Sequence, residues 1–118
     1  MALFKFLKPE AFRVRSPHRD READTVRLAR LHVCLEDFRA DIMREYDGLR
    51  ARHDSVTERA AFSQQALEED QADATISDQV DDLTEAMIRY AARLKALERQ
   101  IAFVTGMLGE VERFPLEK

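Results

Sequence analysis

From Ile76 to Val111 the apolar residues recur at alternating spacings of four and three. The series is Ile76, Val80, Leu83, Met87, Tyr90, Leu94, Leu97, Ile101, Val104, Leu108 and Val111. This run covers five heptads without a break. On a helix such spacing keeps one apolar seam turned toward a partner helix along the whole length. A strand alternates every second residue and would scatter these side chains over both faces. The pattern therefore predicts a helix over about 77–112.

The first half carries a looser stripe: Leu28, Leu31, Leu35, Phe38, Ile42, Tyr46, Leu49, His53, Val56, Ala60 and Leu67. It predicts a helix over about 20–69. Gly48 and the His53-Asp54-Ser55 stretch favour a kink, because a glycine inside a helix costs only about 1 kcal/mol relative to alanine. Ser55 and Glu58 also match a capping box. Residues 18–114 contain no proline, and the three glycines are Gly48, Gly106 and Gly109. So few turn-formers exclude most β and α/β folds.

One straight helix does not pass through both stripes. Leu67 and Ile76 are nine positions apart, about 900° at ~100° per residue, which places them on opposite faces. A turn at about 70–76 removes the conflict. Asp73, Thr75 or Ser77 can cap the new helix, and Asp78, Asp81 and Asp82 then fall in its first turns, where the helix dipole favours anions. The expected fold class is all-α: a long antiparallel, coiled-coil-like helical hairpin over 20–114, with a basic arm at 1–19 and a tail at 115–118. Helix one outreaches helix two by about a dozen residues. Its apolar start, and a second stripe on helix two, call for cover. A dimer forming a four-helix bundle supplies it, with Val26, Leu31, Val33, Ile88, Phe103 and Met107 as the expected interface.

Charge is divided by zone. Residues 1–19 hold Lys5, Lys8, Arg13, Arg15 and Arg19 against Glu10, a net of +4. Residues 60–86 hold eight acidic and no basic residues. The hairpin places that acidic run at its tip, where Glu68, Glu69, Asp70 and Asp73 are expected to dock a basic partner. The whole chain has a net charge of −4, which argues against nucleic acid as a partner. Hydrophobic residues make up 45% of the chain, too many for a disordered polar tail.

No catalytic constellation emerges, and the chain is read as a non-enzyme with no cofactor. The histidines are His18, His32 and His53, without an H-E-x-x-H pattern or paired cysteines. His32 and Glu36 stand i,i+4 and read as a surface pair. His53 lies on the apolar stripe as a half-buried polar residue. The single Cys34 adjoins the stripe and reads as a small packed side chain. One thiol makes no internal disulfide and fits a reducing compartment. The acidic run lacks the Asp-x-Asp-x-Asp-Gly loop of a calcium site. Gly106 and Gly109 match no phosphate loop, and are expected to let the last turns pack closely or fray.

The opening residues pair Leu3, Phe4, Phe6 and Leu7 with Lys5 and Lys8. So short a basic amphipathic segment packs over helix one, touches an anionic membrane surface weakly, or docks as a peptide on another protein. It is too short for a secretory signal, and no apolar run approaches the ~20 residues of a membrane span. The expected location is cytoplasmic, with the inner membrane face as the alternative site. The functional expectation is a dimerising coiled-coil adaptor or scaffold. The competing readings are a small secretion-type chaperone that covers a client's apolar helix, and a peripheral membrane protein using residues 1–8.

Overall fold

The structure is a computed structural model and describes residues 16–69 and 74–116. Two helices account for nearly all of it: α1, Pro17–Glu68, and α2, Ala74–Arg113. They pack against each other as an extended antiparallel hairpin, and the described residues contain no strand. At ~1.5 Å per residue the 52 residues of α1 span about 78 Å.

α1 starts three residues earlier than the apolar stripe suggests. Ser16 is the N-cap: its Oγ accepts the backbone N–H of Arg19 at 3.1 Å. Pro17 follows at the first helical position, where a missing N–H costs nothing. Asp20 stands in the first turn, the favoured place for an anion. The helix then runs unbroken through Gly48 and His53-Asp54-Ser55. Ser55 and Glu58 are ordinary mid-helix residues, so the capping-box match does not mark a helix start. α1 ends at Glu68, and the N–H of Glu69 closes the last turn on the carbonyls of Gln65 and Leu67.

α2 also starts earlier than expected, at Ala74. Thr75 and Ser77 thus lie inside the helix, and Asp73 lies outside the described residues. No acidic residue occupies the first turn of α2: Asp78 is its fifth residue and Asp81 and Asp82 its eighth and ninth, past the turn where the dipole acts most strongly.

The α2 seam agrees with the heptad series. Leu94, Leu97, Val104 and Leu108 are buried, and Ile76, Val80, Leu83, Met87, Tyr90, Ile101 and Val111 are half-buried. The α1 seam differs from the apolar stripe. Every residue from 28 to 65 that is not exposed falls on a second strict four–three series: Leu28, His32, Leu35, Arg39, Ile42, Tyr46, Leu49, His53, Val56, Ala60 and Ser63. Leu31 and Phe38 are outside it, at 45% and 57% exposure. His32 and Arg39 take the seam positions that hydrophobicity assigned to those two residues. A regular contact between two long helices fixes position by register, and at these two levels register overrides side-chain polarity.

The core that results is thin. Leu35, Val104 and Leu108 form its buried cluster near the open end, with Ile42 and Val111 packed against it. Leu97 is the most deeply buried side chain.

Candidate functional site

Polar side chains cross between the helices on both sides of the seam. On one side His32 Nε2 lies 3.1 Å from Glu112 Oε1. One heptad along, Arg39 Nη1 donates to Thr105 Oγ1 at 3.4 Å. One heptad further, the Tyr46 hydroxyl donates to Glu98 Oε1 at 3.0 Å. In each pair the two residue numbers total 144, so the register holds over this stretch. On the other side Arg93 grips Glu45 with two bonds, Nε to Oε2 at 2.7 Å and Nη2 to Oε1 at 3.1 Å. Arg93 holds the Glu45 carboxyl below its usual range and Glu45 raises Arg93, chiefly through these bonds.

Glu45 and Arg93 also define a flank of the rod. Two heptads from Glu45 is Leu31, and two heptads from Arg93 is Met107, so these two share the same side at the base. Phe38 lies one heptad from Glu45. Phe103 is one turn of α2 before Met107. All four are exposed: Leu31 at 45%, Phe38 at 57%, Phe103 at 69% and Met107 at 37%. The base thus carries an apolar strip made by both helices.

Of the six expected interface residues, this flank unites Leu31, Phe103 and Met107. Val26 and Val33 are exposed, on the outer face of α1, in a shallow patch with Ala29 and Cys34. Ile88 is exposed too, but stands 19 residues from Met107, about 28 Å along α2. The six therefore do not form one patch. Phe38 belongs to the flank, although its spacing in the stripe points it into the core. The signal that finds it is the α1 register, which puts Arg39 on the seam and so leaves Phe38 one residue outside it.

Other expected roles also shift. Cys34 is exposed and not a packed core thiol. His32 is no simple surface pair with Glu36, since it reaches across to α2 as well. His53 is half-buried, as its stripe position implies, with Nδ1 3.6 Å from Asp54. Gly106 has no neighbour where a Cβ would sit, and at Gly109 a Cβ would meet only the flexible guanidinium of Arg113, so neither glycine serves close packing. Phe114, Pro115 and Leu116 line a hollow with Asp20, Ala23, Asp24, Arg27 and Leu28, so the tail partly covers the overhang of α1.

At the tip, Glu68 and Glu69 are exposed, and Gln65 donates to Glu69 at 3.0 Å. Asp70 and Asp73 lie outside the described residues, as do Leu3, Phe4, Lys5, Phe6, Leu7 and Lys8. Among the described residues no group of three His, Cys, Asp or Glu side chains is placed to hold a metal ion. Among them, too, no helix is long and apolar enough to cross a membrane.

The fold and its polar ladder define a class: a two-helix antiparallel hairpin of coiled-coil type, with an exposed apolar flank at its open end. No protein-family model, curated protein or solved structure matches this chain.

Proposed function

We propose that this chain is a non-catalytic protein–protein interaction module, an adaptor or scaffold that pairs with a second copy through its base. The observation that carries the reading is the strip of Leu31, Phe38, Phe103 and Met107. Aromatic side chains bring 150–250 Å² each, so Phe38 and Phe103, 57% and 69% exposed, leave roughly 250 Å² of apolar surface in water, and Leu31 and Met107 extend the strip. Patches of that size on a monomer are commonly functional. A two-fold axis would lay two such strips together in the centre of one interface. The expected product is a four-helix bundle at the base.

The tip has the complementary task of recruiting a basic partner protein. Glu68 and Glu69 are exposed there, and like charges so close repel each other, which a simple turn would not require.

Sedimentation of the wild type and of Phe103→Glu with Met107→Glu tests the assembly. The wild type should be a dimer and the double variant a monomer of equal helicity. Val33→Glu, on the outer face of α1, should leave the dimer intact. A wild type that stays monomeric at high concentration would overturn the scaffold reading. If that monomer also bound a hydrophobic dye, the flank would fit a chaperone's client surface instead. Glu68→Gln with Glu69→Gln should preserve the dimer and weaken capture of a basic partner at low salt. Equal capture would remove the recognition role from these two residues.

A further inference from the structure

His32 stands near the open end of the hairpin, with its side chain 30% exposed. Both ring nitrogens meet carboxylates. Nδ1 lies 2.9 Å from Glu36 Oε1, on its own helix, and Nε2 lies 3.1 Å from Glu112 Oε1, on α2. A carboxylate only accepts hydrogen bonds, and a neutral imidazole has a single N–H to give. The neutral ring therefore donates to one of the two and turns a lone pair toward the other. The imidazolium donates to both. Because the two acceptors belong to different helices, one proton decides whether the ring can tie α1 to α2 while keeping its bond to Glu36.

We propose that His32, Glu36 and Glu112 form a proton-dependent clasp that holds the last turns of α2 against α1. The charged groups bonded to the ring are Glu36 from α1 and Glu112 from α2, both acidic. They act in concert to favour the charged ring. The hydrogen bond to Glu112 contributes most to raising His32 above its ordinary value of 6.5, with burial opposing it and Glu36 assisting. The sign follows directly. A raised value in the folded state adds stability that is complete below the unfolded value and disappears as pH rises through the folded one. Glu112 is the penultimate residue of α2 and lies just beyond buried Leu108, so release loosens the end of the helix before its middle. The clasp rests on the hairpin alone and not on self-association.

The test is an NMR titration of the full chain, with the three histidines assigned through His18→Gln and His53→Gln. The His32 ring should titrate with a midpoint above 6.5, and Glu112→Gln should shift that midpoint down. Amide exchange over residues 108–113, corrected for base catalysis, should quicken as pH rises through the midpoint. That response should be lost in His32→Gln. A wild-type midpoint at or below the ordinary value would overturn the clasp, whatever the variants do. So would a midpoint unmoved by Glu112→Gln, or the same pH-dependent exchange in His32→Gln.

Discussion

Leu97→Ala is the most exacting probe of the seam, because Leu97 is 1% exposed and every other residue of the core is less well covered. The substitution deletes three carbon groups at ~0.8 kcal/mol each, or about 2.4 kcal/mol of transfer free energy. A cavity adds to this, and measured Leu→Ala costs run ~2–5 kcal/mol. Two helices with water on both flanks close over a void more readily than a globular core does, so about 2–3 kcal/mol is expected. For an ordered unit of roughly 100 residues, 1 kcal/mol moves Tm by ~4–8 °C. Leu97→Ala should therefore lower Tm by ~10–20 °C in a circular-dichroism melt. Phe103→Ala supplies the contrast. It removes a larger side chain, but one that is 69% exposed, and in an isolated hairpin it should change stability by less than ~0.5 kcal/mol. If Phe103 is covered in a dimer, its substitution will become costly as protein concentration rises, and the cost of Leu97→Ala will not vary in that way. An unchanged Tm for Leu97→Ala would refute the seam and the register with it.

Cys34 is exposed, so a thiol reagent should label it under native conditions at a rate close to that in denaturant, and slow labelling would return it to the core. Glu45 has a lowered value through Arg93, so its contribution should be complete above about pH 4.5 and be lost as pH falls through the folded value. Glu45→Gln should remove that part of the acid dependence, and an identical acid melt would show that the pair is not coupled to folding. Replacing the polar seam residues His32 and Arg39 with Leu should raise Tm while admitting more than one oligomer, as native mass spectrometry would reveal. A single species of unchanged mass would deny the polar seam any part in specificity.

The α2 seam was legible because every seam position from Ile76 to Val111 carries an apolar residue. Hydrophobic spacing and helical register then point to the same face. The hairpin was legible from the phase conflict between Leu67 and Ile76, which needs only the helical repeat. The α1 seam was not. Reading by hydrophobicity moves from Leu28 to Leu31 and from Leu35 to Phe38, steps of three, where the register takes steps of four to His32 and Arg39. Both steps suit a helix, and α1 alone does not decide between them. Laying the regular α2 series along α1 does, since a partner with strict heptads demands strict heptads in return. The flank is hidden for the same reason, because hydrophobic spacing alone turns Phe38 inward. The start of α1 is hard to read for a different reason. Ser16, Pro17 and Asp20 form a good N-terminus, but no apolar stripe residue lies near enough to draw attention to it.

The polar column in α1 also answers a question that the apolar seam leaves open. Leu28, Leu35, Ile42, Leu49 and Val56 repeat every seven residues, and so do the aliphatic positions of α2. Sliding one helix by a heptad would restore nearly the same apolar contacts. The polar contacts would not survive such a slide in either direction. If α2 shifted one way, Tyr46 would face Ala91 in place of Glu98, and His32 would face Thr105 in place of Glu112. If it shifted the other way, His32 would pass the end of α2 and the Tyr46 hydroxyl would exchange a carboxylate for Thr105. The short connection between Glu68 and Ala74 opposes both slides as well. A seam built from aliphatic residues alone would bury more surface but define its register less sharply. His32 and Tyr46 forgo some of that burial and in return make one alignment better than its neighbours, whereas Arg39, which would meet Glu98 or Glu112 after a slide in place of Thr105, does not discriminate in this way. Only in that alignment do Leu31 and Phe38 stand beside Met107 and Phe103, so the polar ladder on one side of the rod is what composes the apolar flank on the other.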